Sequence, residues 1–266
     1  MLIKRIITAL ILGSAVTVAL LLAPTRIAAA VLGLLFVAGA WEWAGLARLS
    51  PAARAAYTGL FAAILLAAPW WVFDRGVIAV LLLIGVLWWL LALLAVLTYP
   101  RRLPLAPVAV AGFAALLPAW AALTHLHGAM QLGPQLAMTV LALVWAADTG
   151  AYFTGRSIGR TKLAPAVSPG KTWEGVAGGV ATAAVVSAVA AALLELPLVT
   201  VVAVGAVTAL VSVLGDLTVS IGKRNVGLKD SGRLLPGHGG MLDRIDSLTA
   251  AAPIFVLGLL AAGVIS

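Results

Sequence analysis

The sequence contains no cysteine, which removes disulfide frameworks, thiolate metal sites and cysteine nucleophiles and leaves the redox compartment open. Charge is nearly as scarce. Only 10% of the residues are charged, against about 25% in soluble domains, while 63% are hydrophobic and the mean hydropathy is +1.14. A chain of that balance is an integral membrane protein. Acids are the scarcer charged class, nine against seventeen Lys and Arg, for a net charge of +8. In a soluble protein such an excess suits nucleic acid, but membrane proteins gather Lys and Arg on the cytosolic side for orientation alone. No nucleic-acid partner is expected. The first apolar run, residues 6 to 22, follows Lys4 and Arg5, yet no small-residue cleavage site with a polar start comes after it. It reads as a retained span.

What is present is one apolar run after another. A crossing takes about 20 residues at 1.5 Å each. Nine segments qualify: 6 to 22, 27 to 47, 55 to 73, 77 to 98, 106 to 124, 136 to 153, 175 to 194, 198 to 221 and 247 to 265. The expected fold is an all-α integral membrane protein, a polytopic bundle of about nine transmembrane helices with a cytosol-facing polar site. Residues 1 to 130 would hold spans one to five, and residues 131 to 266 a catalytic region of spans six to nine with polar loops at 154 to 174 and 222 to 246. With the N-terminus inside, fifteen of the seventeen basic residues fall on the cytosolic side and only Arg26 and Arg75 fall outside. This predicts a multi-pass protein of the cell (inner) membrane with its N-terminus and polar site in the cytosol.

Charge concentrates in residues 220 to 246, "SIGKRNVGLKDSGRLLPGHGGMLDRID", which hold five of the seventeen basic residues and three of the nine acids. The stretch reads as a polar loop between two apolar helices. Charge within a bilayer is costly, so acids near a span usually have a task. Asp148 lies near the cytosolic end of the sixth span, Asp216 near that of the eighth, and Asp243 and Asp246 at the start of the ninth. These carboxylates share one depth and offer the hard oxygen donors that Mg²⁺ takes together with phosphates; the alternative is a structural bridge from each acid to a nearby Lys or Arg. Asp216 and Ser220 are spaced for one helix face, as are Asp243 and Asp246. Without a neighbouring base, Ser220 reads as a metal or phosphate ligand, not a nucleophile. Asp230 beside Lys229 reads equally as a site residue or as a local ion-pair partner. His238 lacks a companion for a zinc site and is either a loop hydrogen-bonder or a phosphate donor. His125 and His127 fall on the opposite side and are expected to be bystanders.

Residues 155 to 174, "GRSIGRTKLAPAVSPGKTWE", place Arg156, Arg160, Lys162 and Lys171 among small residues and form a second phosphate-binding candidate. Their "SPGKT" ending is not a P-loop, because Pro165 stands where that motif needs Gly and no strand is expected before it.

The pattern Ser220, Lys223-Arg224, Lys229-Asp230, His238-Gly239-Gly240, Asp243-Arg244 and Asp246 resembles the signature of the phosphatidate cytidylyltransferases, the CDP-diacylglycerol synthases. "DTGAYFTGRSIGRTKLAPAVSPGKTWEG" at 148 to 175 and "GDLTVS" at 215 to 220 look like the same family, whereas the first 130 residues share only its hydrophobic character. The resemblance implies an enzyme that joins CTP and phosphatidate into CDP-diacylglycerol and pyrophosphate with Mg²⁺. It also implies a helical membrane bundle, commonly a homodimer, with a polar funnel open to the cytosol. On that basis Asp216, Asp243 and Asp246 hold metal, with Asp148 added by its position, and Lys223 and Arg244 join the three acids as catalytic residues. Lys171, Ser220, Arg224, Lys229, Asp230, Arg233, His238, Gly239 and Gly240 are the implied substrate-binding set. The competing expectations are a CTP-dependent enzyme on another lipid, such as a CDP-archaeol synthase or a polyprenol kinase, and a transporter, whose substrate acids would lie near the bilayer centre.

Overall fold

The computed structural model describes residues 2–100, 105–129, 131–234 and 239–265. Helices account for most of them, since a chain in lipid must satisfy its backbone hydrogen bonds within each apolar run. In order they are α1 (Leu2–Leu22), α2 (Thr25–Leu46), α3 (Pro51–Leu66), α4 (Arg75–Leu97), α5 (Leu105–Ala129), α6 (Gly133–Ile158), α7 (Trp173–Leu193), α8 (Leu198–Asn225) and α9 (Leu242–Ala261). Among the described residues eight helices are long and apolar enough to cross a membrane, and α1 contributes a shorter apolar stretch, Leu10–Leu22. The protein is an all-α, multi-pass membrane protein.

Local chemistry sets the helix ends. Ser50 caps α3 by accepting from the Ala53 amide at 3.3 Å, with Pro51 in the first turn, where its missing N–H costs nothing. Asp74 caps α4 through the Val77 amide at 2.9 Å. α8 stops at Gly227, which takes φ +74 while the Leu228 amide bonds back to the Lys223 carbonyl at 2.8 Å and the Gly227 amide to that of Arg224 at 3.1 Å. This is the left-handed glycine termination that a side chain would disfavour. Arg48 reaches the same helix end from the α2–α3 turn and donates to the Asn225 carbonyl at 3.2 Å.

Two sequence expectations change here. The 220 to 246 stretch is not loop throughout. Ser220 to Asn225 form the last turns of α8, and Asp243 and Asp246 belong to α9, so the connecting loop is only 226–241. The helix continues past the apolar run because nothing before Gly227 breaks it and its polar side chains find partners. The stretch 154 to 174 likewise is not simple loop: α6 runs to Ile158, and an antiparallel hairpin follows, β1 (Lys162–Ala164) paired with β2 (Ser168–Thr172).

The bundle is built around α9, which packs against α2, α4, α5, α6 and α8. Its apolar window is 67% buried and that of α5 is 61%, against 17% for the peripheral α3. The C-terminal helices form a consecutive series, α6 on α7, α7 on α8 and α8 on α9, and α1 lies against α2 and α6. Close approach of α8 to α9 depends on Gly215, where a Cβ would run into the Asp246 carbonyl oxygen. That contact sets Asp216 beside Asp246. His125 and His127 lie elsewhere, buried and bonded to the carbonyls of Val72 at 3.0 Å and Leu20 at 2.9 Å, where they tie α5 to neighbouring segments.

Candidate active site

The hairpin delivers the first cation. Glu174, in the first turn of α7, accepts from the Thr161 amide at 3.1 Å and the Thr161 hydroxyl at 2.9 Å, and the Trp173 amide bonds the Thr161 carbonyl at 2.9 Å. Thr172 caps α7 through the Gly175 amide at 3.1 Å. "SPGKT" is therefore a strand leading into a capped helix, and Lys171 projects from it onto α8. Its Nζ lies 2.6 Å from Asp216 Oδ2, while the Ser220 hydroxyl donates to Asp216 Oδ1 at 3.1 Å. The four-residue spacing of Asp216 and Ser220 does place them on one face.

A second pair lies deeper. Lys223 Nζ is 2.6 Å from Asp243 Oδ1, with only 11% and 8% of the two side chains exposed. The other oxygen, Asp243 Oδ2, accepts from the Ser231 amide at 2.8 Å and the Gly240 amide at 3.2 Å, and the Ser231 hydroxyl oxygen lies 3.0 Å from it. Asp243 thus fastens the 226–241 loop to α9 at Ser231 and at Gly240 and presents its remaining oxygen to α8. Asp246 and Asp148 are joined through Ser247, whose amide donates to Asp246 Oδ1 at 2.7 Å and whose hydroxyl lies 3.5 Å from Asp148 Oδ1.

These side chains line two cavities. One, of about 360 Å³, runs between α1, α2, α6 and α9; its walls are apolar, with Leu12, Val16, Leu32, Phe36 and Val144, and its polar end carries Asp148, Asp243, Arg244 and Asp246. The other, of about 550 Å³, lies between α6, α7, α8 and β2 and carries Arg156, Ser168, Lys171, Thr172, Ser212 and Asp216 over a floor of small residues. Asp148 borders both.

The catalytic and substrate-binding residues expected from sequence divide in space. Lys171, Ser220, Lys223, Gly240 and Arg244 join the four acids. Arg224 turns towards the hairpin, its Nε 3.4 Å from the Val167 carbonyl, and Lys229, Asp230 and Arg233 are exposed on the loop. The Asp230 side chain lies against Gly239, which takes φ +83. His238 lies outside the described residues, as do Arg101 and Arg102 of the orientation count.

The donors suit a divalent cation in kind: hard carboxylate oxygens on three helices, with Asp148, Asp216 and Asp246 close enough to repel one another. Among the described residues no group of three His, Cys, Asp or Glu is arranged to hold a metal ion as it stands, and Lys171 and Lys223 take the cation positions beside Asp216 and Asp243.

Sequence reading passed over Glu42. It lies on α2, is 1% exposed, and accepts from the Leu242 amide and the Ser231 hydroxyl, each at 2.8 Å. Its signal was available, because a lone acid within an apolar span carries the same implication as Asp148.

The sequence profile of the cytidylyltransferase family matches residues 3–261. The chain is 43% identical to the phosphatidate cytidylyltransferase of Pseudomonas aeruginosa, covering 99% of this chain and 98% of that protein. It is 42% identical to the one from Haemophilus influenzae over 96% of this chain and 97% of the relative, and 41% identical to the one from Brucella suis over 82% and 78%. A match running from the first helix through the last, over a bundle whose acids and lysines meet between two cavities, places this membrane enzyme among the nucleotidyltransferases: the chain belongs to the cytidylyltransferase family.

Proposed function

We propose that the protein transfers the cytidylyl group of CTP to phosphatidate, giving CDP-diacylglycerol and pyrophosphate at the cytosolic face of the cell (inner) membrane. The observation that carries this is the pair of cavities that meet at Asp148: an apolar one open among membrane-spanning helices with Arg244 at its polar end, and a basic one with Lys171 and Arg156. The apolar walls of the first suit an acyl chain and the cations of the second a nucleoside triphosphate.

The lipid's phosphate monoester has a second pKa of about 6, so it reaches the site largely as a dianion and needs no general base. One of its oxygens bonds to the α-phosphorus of CTP while the bond from that phosphorus to the bridging β-phosphate oxygen breaks, and pyrophosphate leaves with the electron pair. The obstacle is bringing two anions together, which cations held in a fixed frame overcome. Lys171 and Arg156 line the nucleotide's cavity, Arg244 meets the lipid phosphate, and Lys223 holds Asp243 in register. Asp148, Asp216 and Asp246 would hold Mg²⁺, which would supply charge neutralisation on the triphosphate, with Asp243, its Oδ1 paired with Lys223, standing beside them. A homodimer, implied by the family resemblance, is the proposed assembly, and light scattering in detergent measures it.

The test is incubation of the purified protein with phosphatidate micelles, labelled CTP and Mg²⁺. A lipid-soluble cytidine nucleotide and an equal amount of pyrophosphate are expected, and both should disappear with excess chelator. Product from a polyprenol or an archaeal ether lipid in place of phosphatidate would reassign the acceptor. Labelled solute entering sealed vesicles without CTP would reassign the class.

A further inference from the structure

We infer that Glu42 is a positioning residue for the transfer: from α2, outside the charged signature, it clamps the 226–241 loop to the first turn of α9 and so fixes Asp243. This rests on the proposed reading of Asp243 as part of the reaction site.

A carboxylate buried at a membrane-spanning helix is expensive unless its partners repay the lost hydration. At Glu42 they come from the loop and from the start of α9. Oε2 accepts from the Leu242 amide, one of the donors that an α-helix leaves unpaired in its first turn, and from the Ser231 hydroxyl, each at 2.8 Å. The same hydroxyl lies 3.0 Å from Asp243 Oδ2, and the Ser231 amide donates to that oxygen at 2.8 Å. Ser231 therefore stands between two carboxylates and orients both, one from α2 and one from α9.

The loop backbone is shaped around this carboxylate. A Cβ at Gly232 would overlap Glu42 Oε1, and a Cβ at Gly240 would overlap Glu42 Oε2 and the Ser231 hydroxyl. Both glycines are needed for the loop to lie directly on the acid. Glu42 Oε1 has no hydrogen-bond partner among the described residues. A glutamine would therefore keep the clamp: its carbonyl oxygen takes the Oε2 position and accepts both donors, and its amide group takes the place of Oε1.

The experiment compares Glu42→Ala, Glu42→Gln and Ser231→Ala in the full-length protein, by kinetics and by amide hydrogen exchange over residues 226–242. Glu42→Ala is expected to lower kcat per folded molecule by about tenfold to a hundredfold, the equivalent of one hydrogen bond to a charged group. KM for CTP should change little, because the Lys171 cavity does not include this loop. Protection of the 226–242 amides should fall in the Ala variant and return in the Gln variant. Ser231→Ala, which removes the bridge but leaves the Leu242 bond, should show the same kcat loss to a smaller degree and remains informative if Glu42→Ala does not fold. Folded Ala variants with wild-type kcat and wild-type protection would overturn the inference, as would a Gln variant as impaired as the Ala variant. Hydrogen exchange reads the clamp even if CTP proves not to be the substrate, so failure of the reaction assignment is separable from failure of the clamp.

Discussion

The sharpest prediction concerns Asp243→Asn. The substitution preserves shape, yet the structure leaves the new amide no good orientation. With its oxygen at the Oδ2 position it satisfies Ser231 and Gly240, but its NH₂ then faces the Lys223 ammonium, 2.6 Å from where Oδ1 stood. Flipped, it sets NH₂ against the Ser231 and Gly240 amides, which are donors themselves. Lys223, nearly buried, loses its counter-charge either way. Breaking one partner of a buried pair costs roughly 3–5 kcal/mol, which lowers the assembled fraction of the loop by about 10²- to 10⁴-fold. CTP incorporation into lipid should therefore almost vanish while the helices stay intact, because the bundle core around α5 and α9 does not depend on this pair. Thermal unfolding in detergent, followed by tryptophan fluorescence, should shift down. Adding Lys223→Met removes the orphaned charge, so the double variant should regain stability without regaining activity. Wild-type turnover of purified Asp243→Asn, or a double variant less stable than the single, would refute the reasoning.

Lys171→Met should raise KM for CTP about tenfold through loss of a charged phosphate contact, with a stability cost of only about 1 kcal/mol because its pair with Asp216 is partly solvated; initial rates at varied CTP and varied lipid distinguish this from a lipid role. Gly215→Ala should push α8 from α9 at the Asp246 carbonyl and cost about 1–3 kcal/mol, read as a lower unfolding temperature together with lost activity. The absence of cysteine makes orientation directly measurable: Leu198→Cys should react with an impermeant thiol reagent from outside intact cells, and Leu228→Cys only after the membrane is opened.

How much of this was legible beforehand differs from residue to residue. The convergence of Asp148, Asp216 and Asp243 with Asp246 followed from span assignment, and the Ser220 to Asp216 bond followed from a four-residue spacing. Gly227 as the end of α8 was readable as a helix stop, but the polar character of Ser220 to Asn225 disguised those turns as loop. The hairpin at 162 to 172 was not readable, because two short strands with Pro165 and Pro169 nearby carry almost no periodic signal.

Sequence alone determined that this chain is a helical membrane protein and where its chemistry concentrates. Lipid forces each apolar run to satisfy its own backbone, and scarce charges stand out against such a background. Tertiary structure alone decided which charge meets which: Lys171 with Asp216, Lys223 with Asp243, and Glu42 with the loop. Glu42 lies 189 residues from Ser231 and 200 from Leu242, and no local rule links positions that far apart. Only the packing of α2 against α9 brings them within a hydrogen bond.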